Sequence, residues 1–337
     1  MTGIDNLMDK ALDKPGAAPS RARRPYRQAW WAATLAALVI LPFVLDGYVV
    51  FQMTLVLVYA LAIIGLNLLT GINGQFSLGH VAFFATGAYT TALLMDAGLM
   101  GYAWTLPIAG IVAFVFGFLF GLPALRLEGI YLALATFALS VATPQVLKLT
   151  PLTPWTHGVN GISLPKPEVP WGLPLDQDQW IYFFVLAVVM VLLFLALALV
   201  GSRSGRALLA IRDNPIAARA MGINIWLYKA TAFGISSLYA GIAGGLSAIV
   251  VQYVSPDSFT MNVSIAFFVG MVLGGLGWLP GALFGGAFIV FIPQISADIA
   301  DKGFEGIAYG LCLVVLVFVM PSGLAGGIDL VKRKFAR

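Results

Sequence analysis

Two short stretches of this 337-residue chain hold polar groups whose types and spacing could support chemistry. The first covers residues 67–80, where amides, hydroxyls and an imidazole alternate with glycine. The second covers residues 205–222, reads GRALLAIRDNPIAARAMG, and brings three arginines and an aspartate together. Uncharged polar groups beside glycines can line a path for a small polar solute, and a basic stretch can hold a loop against lipid headgroups or a partner.

The sequence offers little to a metal or catalytic site. His80 and His157 are far apart and have no cysteine or carboxylate at ligand spacing, and Cys312 is the single cysteine. We therefore expect no metal site and no intrachain disulfide. The chain has no paired carboxylates, no Ser/His/Asp cluster and no G-x-x-x-x-G-K-[S/T] phosphate loop. We expect no catalytic residues, no cofactor bound by this chain and no nucleic-acid partner.

The elements that position these stretches follow from the composition. The chain is 60% hydrophobic and 10% charged, whereas a soluble domain is about one quarter charged, so we expect an all-α integral membrane protein. Apolar runs separated by Gly, Pro or charged breaks predict a bundle of about ten membrane-spanning helices. The predicted spans are 30–45, 49–70, 80–97, 104–123, 130–148, 179–200, 229–251, 262–278, 282–298 and 305–321.

The distribution of basic residues predicts the orientation. If the N-terminus is cytoplasmic, all Lys and Arg residues except Lys148, Lys166 and Lys302 lie inside, as the positive-inside rule requires. An even number of spans also places the basic C-terminus in the cytoplasm. The predicted organisation is a tail at 1–29, a transmembrane domain at 30–325 with an inner loop at 201–228 and an external loop at 151–178, and a basic tail at 326–337.

The predicted spans carry no Asp, Glu, Lys or Arg near their middles. Intramembrane charges usually serve proton, ion or voltage transfer, so their absence argues against a proton-coupled carrier. Sodium coupling through backbone carbonyls stays open. Glycines four residues apart instead predict close helix packing. These pairs are Gly117 and Gly121, Gly241 and Gly245, Gly270 and Gly274, and Gly281 and Gly285.

The polar stretch at 67–80 allows two interpretations. It is either a broken helix at membrane depth that lines a translocation path, or a polar turn at the cytoplasmic surface between two spans. The glycine-rich part at 71–79 decides between them. The candidate path residues are Asn67, Asn73, Gln75, Ser77 and His80.

The second stretch predicts a short helix at 215–221. Asn214 suits the N-cap, Pro215 the first helical position and Gly222 the residue after the last turn. A further helical segment is predicted over 206–213, ending where Pro215 disfavours helix at the preceding residue. A helix of about two turns is unstable alone in water, so it needs the rest of the chain or a partner to pack on. The alternative is an ordinary basic loop on lipid headgroups.

The stretch from Gly205 to Gly222 resembles the cytoplasmic coupling motif of ABC importer permeases. Two further stretches, GLNLLTGINGQFSLGHVAFFATGAYTTALL at 65–94 and THGVNGI at 156–162, are similar to the permeases of branched-chain amino acid importers, the LivM type among them. The resemblance covers about residues 50–325.

The resemblance implies a multi-pass subunit of the bacterial plasma (inner) membrane, surrounded by lipid. Its partners would be a second related permease, two ABC ATPase subunits that use ATP, and an extracytoplasmic substrate-binding protein. It implies that the short cytoplasmic helix sits in a groove of an ATPase. The residues that the resemblance assigns to ATPase coupling are Arg212, Asp213, Asn214, Pro215, Ala218, Arg219 and Gly222.

Competing functions stay open at this stage. An uncharged lining suits branched-chain amino acids, and it suits urea, short amides or other neutral amino acids equally well. An ion-driven carrier that works alone is a second competitor, but it would have no need of a capped helix that is unstable by itself. A membrane-embedded enzyme or scaffold is a third competitor.

Overall fold

The computed structural model describes residues 38–124, 127, 129–170, 174–299 and 310. The chain divides into two compact units, Met1–Asp46 and Gly47–Arg337. The described part of the first unit contains a helical segment at 38–44. The predicted tails at 1–29 and 326–337 and the last predicted span, 305–321, lie outside the described residues apart from residue 310.

The second unit is built from α-helices that follow the apolar runs. Two two-residue strands, β1 (Ile162–Ser163) and β2 (Tyr253–Val254), pair antiparallel. The helices are α1 (Gly47–Leu66), α2 (His80–Asp96), α3 (Tyr102–Ala124), α4 (Ile130–Leu147), α5 (Gln177–Gly201), α6 (Arg203–Asp213), α7 (Pro215–Ala220), α8 (Ile225–Val251), α9 (Met261–Gly274) and α10 (Ala282–Ile299).

The predicted number of about ten spans is not confirmed. Each predicted span from 49–70 to 282–298 coincides with one of these helices, but within the described ranges six helices are long and apolar enough to cross a membrane. A shorter apolar helix covers Leu279–Ile295. Helix α2 is less apolar because it contains histidine, tyrosine and threonines, and most of it is buried against other helices rather than facing outward.

The centre of the bundle is α8, which packs against α1, α2 and α3. Its glycines allow backbones to touch. A Cβ built on Gly244 would collide with the carbonyl group of Phe84, and a Cβ on Gly87 with the backbone of Gly241. Small residues at such crossings bring helices close enough for strong van der Waals packing without a hydrophobic driving force. The tight crossing fixes α2 within the bundle.

The predicted glycine pairs do lie at close helix approaches. A Cβ on Gly270 would lie 3.1 Å from the carbonyl oxygen of Gly285, and one on Gly274 would lie 2.5 Å from that of Gly281. Two of the sequence pairs therefore face each other across α9 and α10. The turn between these helices is held at the same end of the bundle as the end of α1.

Candidate functional site

The polar stretch that follows α1 is a broken segment, defined here as residues 67–79. Asn67–Ile72 continues α1 as a π-helix, and the chain then runs without helix until α2 begins at His80. His80 Nε2 donates to the carbonyl oxygen of Ala62 at 3.0 Å. Because Ala62 precedes the end of the π-helix by about ten residues, α2 begins about 15 Å inside that end of the bundle.

The geometry combines the two interpretations of this stretch. Residues 71–74, the last two of the π-helix and the two that follow it, turn the chain at the end of the bundle, and residues 75–79 run back inside it to the start of α2. Asn73 and His80 are both almost completely buried, at 2% and 0% exposed, so the segment is not a solvated surface loop. Backbone groups of such a segment need protein or water partners.

Side-chain hydrogen bonds connect the broken segment to distant elements, with Asn67 pairing backbone groups between α9 and α10 and distant hydroxyls pairing backbone groups of the segment. Asn67 Oδ1 accepts from the amide of Gly277 at 2.7 Å, and Asn67 Nδ2 donates to the carbonyl oxygen of Gly275 at 3.1 Å. The amide of Leu78 donates to Thr136 Oγ1 at 3.0 Å, and Ser264 Oγ donates to the Leu78 carbonyl oxygen. Sequence reasoning missed these partners. For Thr136 and Ser264, the sequence signal was a hydroxyl group within an otherwise apolar predicted span.

A cavity of about 450 Å³ opens beside the turn at 71–74. Of the five predicted path residues, Asn73 and Gln75 line it, whereas Asn67, Ser77 and His80 do not. Asn73 Nδ2 donates to Gln75 Oε1 at 2.5 Å, and Asn73 Oδ1 has no hydrogen-bond partner among the described residues. The wall of this cavity therefore contains a buried amide oxygen that the described residues leave unpaired.

Helices α6 and α7 form the opposite wall, and their local structure agrees with the sequence prediction. Asn214 has an extended backbone, and its Oδ1 accepts from the amides of Ile216 and Ala217, both at 3.1 Å. The helix starts at Pro215 and ends one residue earlier than predicted, at Ala220. Gly222 follows with φ +80°, the left-handed conformation expected after a helix end.

The short helix α7 packs on its own chain. Ala218 is buried in a small cluster with Ile211 and Ile225, and these contacts supply the packing that so short a helix needs. The other face is open, since Ile216 is 83% and Met221 is 82% exposed. The large apolar side chains of Ile216 and Met221 are thus exposed at and directly after a capped helix.

Arg212 joins the two predicted regions. Its Nη1 donates to the carbonyl oxygen of Gly71 at 2.7 Å, and its side-chain stem lies against Gly74. Its Nε and Nη2 each lie 3.2 Å from Asp213 Oδ1. Of the predicted coupling residues, Ala218 is buried and the other six are exposed, namely Arg212, Asp213, Asn214, Pro215, Arg219 and Gly222. Arg212 differs from the other exposed members by its hydrogen bond to Gly71.

Comparison with known proteins decides the family. The profile of the family described as "Branched-chain amino acid transport system / permease component" matches residues 48–320. The chain belongs to this permease family. The permease is 34% identical over 317 residues to the high-affinity branched-chain amino acid transport system permease protein LivM of Escherichia coli K12, covering 87% of this chain and 73% of that protein.

Other relatives are more distant. LivH of Escherichia coli K12 is 26% identical over 289 residues, which cover 80% of the permease and 91% of LivH. The probable LivM of Methanocaldococcus jannaschii is 27% identical over 292 residues, covering 80% of the permease and 82% of that protein. No solved structure gives a significant match. The predicted family and its LivM type are confirmed, and the permease is a multi-pass protein of the bacterial inner membrane.

The end of the permease opposite α7 is also well tied together. The segment after α4 pairs through β1 with β2, and Tyr253 Oη donates to the carbonyl oxygen of Asn160 at 2.9 Å. Lys148 Nζ lies 2.6 Å from Asp257 Oδ1, and Lys166 Nζ lies 2.8 Å from Asp178 Oδ1. Among the described residues of this end, Lys148 and Lys166 are thus each paired with a carboxylate. No group of three or more His, Cys, Asp or Glu suited to a metal occurs within the described ranges.

Proposed function

We propose that the permease is the translocating subunit of an ATP-driven importer in which α7 docks on a partner ATPase. The main support is the exposed surface of α7 and of Met221, which directly follows it. Ile216 is 83% and Met221 is 82% exposed, although the chain itself already caps and packs this helix. Exposed apolar side chains that lie close together mark sites of interaction with a protein or a membrane. Two ATPases, a second related permease and an extracytoplasmic binding protein complete the proposed machine, and ATP is used by the partners.

In this proposal the α7 end faces the cytoplasm. The loop from α5 to α8 carries a set of basic side chains there, which the positive-inside rule favours on the cytoplasmic side. They are Arg203, Arg206, Arg212, Arg219 and Lys229. At the other end the described residues include two lysines, Lys148 and Lys166, so the larger number of basic residues lies at the α7 end.

The broken segment and its cavity form the cytoplasmic part of the proposed path. Asn73 and Gln75 stay in the path because they line the cavity. Asn67 and His80 take a structural role in the proposal, since their polar atoms are used to hold α1, α2 and the α9–α10 turn.

Branched-chain amino acids are the proposed cargo, because the relatives carry that transport function in their names. The described lining of the cavity contains the cations Arg212 and Lys229 and no carboxylate, which suits a solute that carries a carboxylate group, as an amino acid does. Urea, short amides and other neutral amino acids are the competing cargoes. An ion-coupled carrier is the competing mechanism.

Purification and uptake test the proposal together. The permease, produced with its neighbouring gene products, is purified in detergent, and we expect an ATPase to be retained. Labelled leucine should accumulate in vesicles only when ATP is present, and excess isoleucine but not urea should compete. Failure to retain any ATPase, or leucine uptake that follows an ion gradient without ATP, overturns the mechanism. Competition by urea alone overturns the cargo.

A further inference from the structure

Arg212 stands apart from the other basic residues of its loop because it contacts a distant part of the chain. Arg212 Nη1 reaches the Gly71 carbonyl oxygen, 141 residues away, at 2.7 Å. By contrast, Arg206 Nη1 on the same helix donates to the nearby carbonyl oxygen of Gly201 at 3.1 Å. Both are charged donors on α6, but one hydrogen bond is local and the other connects two elements.

A second contact fixes the same junction. Gly74 has φ +75°, and a Cβ added there would lie 2.7 Å from Arg212 Cγ. The stem of Arg212 therefore occupies the space that any other residue at position 74 would fill. The positive φ independently favours glycine. Arg212 therefore contacts the turn at 71–74 in two places, at the carbonyl oxygen of Gly71 and beside the Cα atom of Gly74.

The guanidinium is oriented from its own helix. Asp213 Oδ1 lies 3.2 Å from both Nε and Nη2 of Arg212, which leaves Nη1 to reach Gly71. A guanidinium can make these bonds in one plane, whereas an ammonium is a point charge without a fixed fork. The ion pair itself is exposed, so we assign it an orienting role rather than a large stabilising one.

The junction also borders the cavity. Arg212, Ile211 and Pro215 line one side, and Thr70, Asn73 and Gln75 line the side that belongs to the broken segment. A displacement of α6 and α7 relative to the turn changes the distance between these walls. Because Arg212 contacts Gly71 and Gly74, a movement of α6 and α7 would be passed to the broken segment at this junction.

We propose that Arg212 is a positioning residue that transmits movement of α7 to the turn at 71–74 and so changes the cavity. This inference rests on the proposed docking of α7 on an ATPase. It assigns Arg212 an inward role in the permease, separate from contact with the ATPase itself. Loss of Arg212 should leave ATPase binding intact and break the link between ATP hydrolysis and transport.

The first experiment compares single variants in the assembled complex. Retained ATPase, ATP hydrolysis and leucine uptake are measured per complex for Arg212→Ala, Arg212→Lys and the matched control Arg206→Ala. We expect Arg212→Ala to retain the ATPase and lower uptake per ATP about tenfold, the scale of one hydrogen bond from a charged donor. Arg212→Lys should restore part of the lost uptake per ATP, and Arg206→Ala should show an uptake per ATP close to that of the wild type.

The second experiment tests the contact with Gly74. Gly74→Ala is combined with Arg212→Ala in a double-mutant cycle, with Gly98→Ala as control because Gly98 has φ +63° and nothing within 4 Å of an added Cβ. We expect Gly74→Ala to lower uptake per ATP more than Gly98→Ala does. The effects of Gly74→Ala and Arg212→Ala should be non-additive, as for residues in contact.

The outcomes separate the two proposals. An unchanged ratio of uptake to ATP hydrolysis in Arg212→Ala, or strictly additive effects with Gly74→Ala, overturns the transmitting role while α7 docking stands. Loss of ATPase retention in Arg212→Ala with retention in Arg206→Ala also overturns it, because Arg212 would then belong to the ATPase interface. A wild-type complex that retains no ATPase overturns the proposed function itself.

Discussion

The broken segment and the α6–α7 loop use the same residue type for the same purpose over very different distances. Asn214 caps amides two and three residues away, whereas Asn67 holds Gly275 and Gly277, which are 208 and 210 residues away. Asn214 is exposed and Asn67 is 1% exposed. The first region is stabilised by its own sequence, and the second by the packed bundle. Mutations in the two regions should therefore differ in how much they lower stability and in how far from the mutated residue the effect extends.

The largest effect is expected for Asn67→Leu. The leucine fills the space but leaves the Gly277 amide and the Gly275 carbonyl group without their partner, and each buried unpaired group costs about 1–3 kcal/mol. The apparent melting temperature in detergent should fall by several degrees. Asn160→Leu, at an exposed position, is the control and should change it little. Equal melting temperatures for the two variants would contradict the structural role of Asn67.

Gly222→Leu should have a smaller and more local effect. No atom lies within 4 Å of an added Cβ, so the penalty is the left-handed backbone alone, about 1–2 kcal/mol. Leucine uptake should fall while the amount of protein inserted in the membrane stays at the wild-type level. Gly201→Leu, also in open space but without a positive φ, serves as control. Wild-type uptake by Gly222→Leu would show that the end of α7 has no part in transport.

Asn214→Ala should loosen α7 and leave the bundle unchanged. Removal of a cap of this kind costs about 1 kcal/mol, which corresponds to roughly fivefold faster amide exchange of the capped helix. Hydrogen exchange with mass spectrometry should show the change in peptides covering Pro215–Ala220 and none in peptides covering His80–Asp96. Asn214→Asp keeps an acceptor and should restore protection. Faster exchange in α2 as well would mean that the loop and the bundle are not separable.

The smallest effect on stability is expected for Ile216→Ser. The side chain is 83% exposed, and surface changes of this kind stay within about 0.5 kcal/mol. Retention of the ATPase should nevertheless fall, because the proposed docking face loses its apolar group. Val159→Ser, at a 66% exposed position at the other end of the permease, should retain the ATPase. Equal retention by both variants would remove Ile216 from the docking face.

Local features were predictable in detail. The cap at Asn214, the proline at the start of α7 and the left-handed Gly222 all depend on backbone groups within a few residues, so their residue types predict their conformations. The helix positions from 49–70 to 282–298 were also predictable, because the length of an apolar run limits the element it can form. The count of about ten spans stays unconfirmed, since six helices of the described ranges are long and apolar enough to cross a membrane and the predicted span 305–321 lies almost wholly outside those ranges.

Long-range pairing was not predictable from one sequence. The sequence singles out both Asn67 and Arg212, but a polar type does not specify a partner 141 or 210 residues away. The sequence also groups Asn67, Asn73, Gln75, Ser77 and His80 as one candidate lining, and the structure places two of them at the cavity.

By itself, the sequence determined an apolar helical membrane protein and a capped helix in a basic loop, because composition and near neighbours decide these features. Its family followed from the resemblance of three stretches to known permeases. Tertiary structure alone decided that α2 begins inside the bundle and that Arg212 turns inward to Gly71. The physical reason is that a buried backbone group away from water takes whichever donor or acceptor the packed helices bring to it. That choice depends on the arrangement of the whole bundle, which no single stretch contains.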